Sequence, residues 1–182
     1  MTLSLKGWGR AGLVGAALLL VALGGGFSSR AYLSQRALER AASEPLAARE
    51  ALERAVRLEP ANPRLHYELG NAHLRGYLLF GQGGLERALE AFGDAWRLDP
   101  REALYAASRG WVLLELGRLE QGRAAFEEAL ALDPHNQDYL YGLGQALERL
   151  RRPGEALRRY REGQAVKADP RFEAALARLE GR

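Results

Sequence analysis

The chain contains no cysteine, a single methionine and only three histidines in 182 residues. Without cysteine there is no disulfide framework and no thiolate metal site, and the redox compartment cannot be read from this residue. An excess of charge of one sign is missing too, since 26 Lys and Arg against 23 Asp and Glu give a formal net charge of +3. A nucleic-acid-binding face needs basic residues clustered without their acids. The densest group, Arg149, Arg151, Arg152, Arg158, Arg159 and Arg161, is broken by Glu148 and Glu155 and reads as a solvated helix face. No nucleic-acid partner is expected.

Long uncharged runs are confined to one place. Residues 11–29 carry no charge, and 11–27 are almost wholly apolar. Such a run, as a helix, spans about 28 Å, close to a hydrocarbon core of about 30 Å. Lys6 and Arg10 precede it, Arg30 follows it, and Trp8 and Tyr32 stand where interfacial aromatics lie. The pattern predicts a transmembrane signal-anchor helix over 11–29 behind a short basic tail, 1–10. A cleaved signal peptide is the alternative, because GGGFSS at 24–29 offers small residues to a peptidase, although no clear A-x-A stands there. The basic tail predicts a single-pass protein of a bacterial inner membrane with the rest of the chain on the periplasmic side. Arg30, Arg36 and Arg40 weigh against that orientation. Arg far outnumbers Lys, and Ala, Leu and Gly abound, the composition of a GC-rich bacterial genome.

Beyond this segment the chain repeats itself. The stretch DPHNQDYLYGLGQAL, 133–147, stops one helix and starts another, with Gly142 and Gly144 inside the helical pattern. Each glycine costs about 1 kcal/mol relative to Ala, so the close approach of another backbone is expected there. The same order recurs in EPANPRLHYELGNAH at 59–73 and DPREALYAASRGWVL at 99–113. Pro60, Pro100, Pro134 and Pro170 close successive units at intervals of 40, 34 and 36 residues, the period of helical solenoids. The second helices align as well. Ala48, Ala88, Gly122 and Ala156 are followed four residues on by Leu52, Phe92, Phe126 and Tyr160, and three further on by Ala55, Ala95, Ala129 and Gly163. Offsets of four and seven put these residues on one helical face, a bulky knob between two small sites. Asn62 before Pro63, and Asn136, are expected to cap first helices. Glu50–Arg54, Glu53–Arg57 and Glu155–Arg159 have the acid-before-base spacing of exposed faces.

This pattern resembles the tetratricopeptide repeat, which runs aromatic or Leu, Leu-Gly, Tyr or Leu, then Ala, Phe, Ala and Pro. The copy at 135–170 matches at Leu140, Leu143, Gly144, Leu147, Ala156, Tyr160, Gly163 and Pro170. That at 101–134 matches at Gly110, Leu113, Gly122, Phe126, Ala129 and Pro134, with Ala106 in the first large position. The copy at 61–100 matches at Leu69, Gly70, Ala88, Phe92, Ala95 and Pro100, with extra residues between its helices. Over 30–60 only the second helix matches, Gln35-Arg36 holding the Leu-Gly place. The resemblance implies an all-α fold, a right-handed superhelical solenoid of helix-turn-helix hairpins behind the N-terminal transmembrane helix. Its units are a degenerate hairpin at 30–60, the three repeats, and a capping helix at 171–182 with Phe172, Leu176 and Leu179 on one stripe.

Catalytic chemistry is nearly absent from the sequence. His66 and His73 lie seven residues apart, about 10 Å along one helix, too far to share a metal, and they occupy large packing positions of the family. GQGG at 81–84 lacks the preceding strand of a phosphate-binding fingerprint and reads as a turn. Glu127 and Glu128 fall on an exposed face with no nucleophile beside them. No catalytic residue, metal ligand, cofactor or small-molecule substrate is expected.

In the family the first helix of each pair lines a concave groove. Spacing from Leu-Gly places Arg64, Tyr67, Glu68 and Asn71 there, then Leu104, Ala107, Ser108 and Trp111, then Asp138, Tyr141 and Gln145. Rings supply contact area and amides hold backbone groups, so an extended peptide or a partner helix is the expected ligand. The rings lie off the small-large-small face, and the fold is not expected to need them. A carboxylate clamp is not expected, because Tyr67 stands where the chaperone-tail-binding members have Lys, although Asn71 matches. In the insertion at 75–84, Tyr77, Leu78, Leu79 and Phe80 either pack under a neighbouring helix or form an exposed apolar knob. The expected function is that of a membrane-anchored protein mediating protein–protein interactions, an accessory or scaffold subunit of a bacterial cell-envelope assembly. A soluble periplasmic or secreted adaptor after signal cleavage is the alternative, and an enzyme with an unrecognised site a distant third.

Overall fold

The computed structural model describes residues 29–43, 48–81 and 84–181. The expected transmembrane segment lies outside these residues except for Ser29, and no helix among those described is long and apolar enough to cross a membrane. All regular structure in the described residues is helical: α1 over 29–43, α2 Arg49–Leu58, α3 Pro63–Phe80, α4 Leu85–Leu98, α5 Ala103–Glu115, α6 Leu119–Leu132, α7 Gln137–Arg149, α8 Pro153–Val166 and α9 Pro170–Glu180. From α2 onward each helix packs on its neighbours in sequence, and α5 also meets α7. That arrangement is a solenoid, whose cohesion comes from nearest-neighbour interfaces.

Local chemistry sets the boundaries. The Asn62 side chain accepts from the Arg64 N–H at 3.2 Å, with Pro63 in the first turn, and Asn136 accepts from Asp138 and Tyr139 at 3.1 and 3.4 Å. Glu102 and Asp169, which the sequence reading did not single out, cap α5 and α9 in the same way. After α5 the chain reverses through Gly117 at φ 74°, whereas after α7 the corresponding turn holds Arg151 at φ 60°. A side chain in that region is strained by about 1 kcal/mol. Of the expected surface pairs, Glu50–Arg54 forms at 3.7 Å, while Glu155 turns instead to Arg152 and Arg158.

Every member of the small-large-small face is buried, and Leu52, Phe92, Phe126 and Tyr160 are fully enclosed. The glycines explain how. A Cβ at Gly70 would lie 2.6 Å from the Phe92 ring, at Gly110 2.9 Å from Phe126, and at Gly144 2.2 Å from Tyr160, each inside contact distance. Gly142 serves a ring from the unit before it, since its Cβ would meet Phe126 at 2.4 Å. The expected approach of backbone to backbone is thus, at these four glycines, an approach of ring to backbone. A side chain there would force a well-packed ring out of its place.

Helix α3 runs for 18 residues where α5 and α7 each have 13, and Gly81 ends it in the left-handed conformation at φ 68°. The extra turn divides the insertion. Tyr77 packs against the buried group of Leu85, Ala88, Phe92 and Val112, whereas Leu78, Leu79 and Phe80 remain 68, 60 and 69 % exposed. Replacing Leu79 and Phe80 together by Ser is therefore expected to move stability by no more than about 0.5 kcal/mol, read from the denaturant midpoint. A loss of several kcal/mol would mean that these side chains belong to the core.

Candidate functional site: the face of the first helices

The residues expected to line the groove are held on α3, α5 and α7, whose caps start in the same register. Arg64, Leu104 and Asp138 each stand two places after a capping residue and are exposed. Tyr67, Glu68, Asn71, Ser108, Trp111, Tyr141 and Gln145 are half-buried. Ala107 departs from expectation: it is buried within the core between α5 and α7 and offers no surface to a ligand.

The half-burial of the rings has a specific cause. Tyr67 lies 5.6 Å from the Phe92 ring and 5.3 Å from Tyr105; Trp111 meets Phe126 edge-on at 4.9 Å; Tyr141 is 5.6 Å from Tyr160 and 5.7 Å from Phe172. Each ring roofs the knob of its own hairpin. The expectation that the fold can dispense with these rings is corrected by this contact, because such pairs contribute about 0.5–1.5 kcal/mol beyond simple area burial. No ring pair among the described residues joins Tyr67, Trp111 and Tyr141 to one another, so they are separate stations along the stack.

Polar groups share the helices of these rings. Asn71 donates to Glu68 at 3.5 Å, and Asp138 pairs with Arg171 at 2.8 Å, whose guanidinium lies 5.2 Å above the Tyr141 ring. Arg171 was missed by the sequence reading. It stands two places after the cap Asp169, in the register of Arg64, Leu104 and Asp138, so carrying the spacing one unit further would have found it. Arg75, one turn beyond Asn71, was missed as well. Its Nε and one terminal nitrogen are buried without a hydrogen-bond partner, a group that calls for an acceptor.

The two histidines are packing residues with polar tips. His66 and His73 are each 8 % exposed, and the His66 ring meets the Pro60 carbonyl at 2.8 Å and Asp94 at 3.5 Å. Among the described residues no group of three or more His, Asp or Glu could hold a metal ion. Burial, helped by the Arg87 charge and opposed by Glu53, holds the His73 imidazole below its ordinary 6.5. The unfolded chain therefore takes up this proton first as pH falls. The contribution is fully present above about pH 6.5 and is lost as pH drops through the lowered folded value. The denaturant midpoint should fall between pH 7 and about pH 5, and His73→Gln should flatten that part of the profile.

The fold and register can now be set beside known proteins. A search of curated proteins finds no match. Among solved structures, MamA from Desulfovibrio magneticus RS-1 aligns with a TM-score of 0.69 at 21 % identity, covering 85 % of this chain and 84 % of its own. A thermophilic tetratricopeptide repeat protein of Thermus thermophilus aligns with a TM-score of 0.67 at 24 % identity, covering 82 and 80 %. PilF of Pseudomonas aeruginosa gives 0.70 at 20 % identity, covering 85 and 69 %. At such identities the likeness speaks for the fold alone. The sequence pattern of the tetratricopeptide repeat matches residues 73–121 and 108–171, and a further repeat of the same kind matches 47–75. With more than half its length covered, the chain belongs to the tetratricopeptide repeat family.

Proposed function

We propose that this protein is a membrane-anchored interaction scaffold that holds a peptide or helix of another protein against the face of α3, α5 and α7, as an accessory subunit of a bacterial cell-envelope assembly. One observation carries the binding part of this reading: three aromatic rings, on three successive first helices, keep part of their surface open beside unburied polar groups. Tetratricopeptide folds are in general interaction modules rather than catalysts. The ligand's rings or aliphatic side chains lie on Tyr67, Trp111, Tyr141 and Leu104, and its backbone on Asn71 and Gln145. Anchoring rests on the uncharged run at 11–29 and its basic and aromatic flanks, and the tail at 1–10 favours repeats on the periplasmic side.

Crosslinking in membranes followed by mass spectrometry identifies the partner, and two substitutions test the face. Leu104→Ser touches an exposed position and should weaken capture while moving stability by no more than about 0.5 kcal/mol. Trp111→Ala should weaken capture about thirtyfold, equivalent to about 2 kcal/mol, and lower stability by about 1 kcal/mol through its lost contact with Phe126. If both variants fold and still capture every crosslinked partner, the ligand uses another face. For the anchor, the chain should stay with membranes after alkaline carbonate washing, and a periplasm-dependent phosphatase fused after Arg182 should be active. A mature N-terminus near residue 28 or 29 overturns the anchor, and an inactive but well-expressed fusion overturns the orientation.

A further inference from the structure

At its C-terminal end the stack is closed by α9, which sets Phe172 against Tyr160 and the backbone of Gly163. At its N-terminal end a groove of about 600 Å³ lies open between α1 and α2. Its floor is apolar, and it includes Tyr32 and Leu33 with 60 and 51 % of their surface exposed. Among the described residues its charged lining consists of Arg36, Arg40, Arg54 and Arg57, with no carboxylate. Arg54 has a partner, Glu50 at 3.7 Å, and Arg36 donates to the Tyr32 hydroxyl at 3.2 Å and lies over its ring. Among the described residues no carboxylate lies within ion-pairing distance of Arg36, Arg40 or Arg57. Elsewhere the arginines of this chain mostly have acidic neighbours, as Arg109, Arg118, Arg123, Arg152, Arg159 and Arg178 do.

We infer that this groove is a docking site for anionic phospholipid headgroups, the arginines taking the phosphates while Tyr32 and Leu33 meet the upper acyl chain. The inference rests on the anchored reading of 11–29: Tyr32 follows Phe27 by only five residues, and an anchor helix running on into α1 would set it about 7.5 Å further along. Arg36 would stand about 13.5 Å along, which on that reading sets the mouth of the groove at the depth of the headgroup layer, itself several ångströms thick. Arginine suits phosphate by its planar fork of donors, and each basic residue at an anionic surface favours binding by about a factor of five. Seated there, the lipid fixes the first hairpin against the bilayer and gives the stack a defined tilt. A loosely matching pair, with Gln35-Arg36 in the Leu-Gly place, thereby serves as the membrane-facing end cap.

The test uses the full chain in phosphatidylcholine nanodiscs with and without phosphatidylglycerol, reading hydrogen exchange over 29–43 and Arg49–Leu58. Phosphatidylglycerol should slow exchange in both helices by about tenfold, equivalent to about 1.4 kcal/mol of ligand stabilisation, and leave α5 to α8 unchanged. Arg36→Gln with Arg40→Gln and Arg57→Gln should abolish the difference, yet leave the chain resistant to carbonate. Equal exchange in both lipids, or a variant that still responds, overturns the groove and leaves the anchor standing. Failure of the chain to enter nanodiscs overturns the anchored reading, and this proposal with it. Glycerol 3-phosphate, or a polyglutamate peptide, giving the same protection in phosphatidylcholine alone would assign the groove to a soluble anion or an acidic protein instead.

Discussion

Phe126→Ala is expected to lose about 3–5 kcal/mol of stability, read from the denaturant midpoint, because it empties a fully enclosed site that cannot easily collapse. The ring is confined on several sides. Gly110 and Gly142 offer it bare backbone from α5 and α7, and Trp111 closes it edge-on at 4.9 Å. Removing it leaves two glycine notches with nothing to fill them, and the surrounding helices have no side chain at those points to move inward. Phe126→Leu should cost less, about 1–2 kcal/mol, since much of the volume is kept. A loss below about 1 kcal/mol for Phe126→Ala would show that the hairpins close over the cavity and that the ring-in-notch contact is not what holds α5, α6 and α7 together.

Phe172→Ala should have a comparable effect confined to one end. Its ring is fully buried against Gly163, with Tyr141 at 5.7 Å and Tyr160 at 6.1 Å, and it is the largest fully buried side chain of α9, beside the small Ala175 and the partly buried Leu176 and Leu179. Ion pairs also tie α9 down: Arg178 to Glu148 at 2.7 Å, Arg161 to Glu180 at 2.7 Å, and Arg171 to Asp138. Exposed pairs of this kind contribute at most about 1 kcal/mol each and weaken with salt. Hydrogen exchange over Pro170–Glu180 should therefore speed up by about a hundredfold or more, about 3 kcal/mol, while α5 and α6 keep nearly wild-type protection. Unchanged exchange in α9 would mean that the ion pairs and the contacts of Ala175, Leu176 and Leu179 retain the helix without the ring.

The fold was largely legible because its determinants are periodic and local. The spacing of Ala88, Phe92 and Ala95, and its copies, names both the buried face and the partner glycines. Asn62 and Asn136 announced two helix starts, whereas Glu102 and Asp169 were hidden because a capping carboxylate looks like any surface acid. The candidate face was legible only as a register. Spacing told which side Tyr67, Trp111 and Tyr141 point to, but not that each ring rests on a knob contributed by the following helix. That contact joins residues 15 to 25 places apart in sequence, where periodicity within one helix carries no information. The same limit explains Ala107, which is buried in a core shared by α5 to α9, and the open groove between α1 and α2, which depends on how two helices are set side by side.

Phe126 also bears on how this protein can be divided. Its ring fills a notch in its own hairpin at Gly110 and another in the next at Gly142. The boundary at Pro134, where the written repeat ends, therefore cuts through a joint. A fragment stopping there would leave one side of the ring bare, and a fragment starting there would begin with an empty socket. A cut after α7 is no better, because it parts Tyr160 on α8 from its socket at Gly144 on α7, and a cut after α8 parts Phe172 from Gly163. From α5 to α9 the rings thus lock successive helices into one block that should be excised or transplanted whole rather than repeat by repeat.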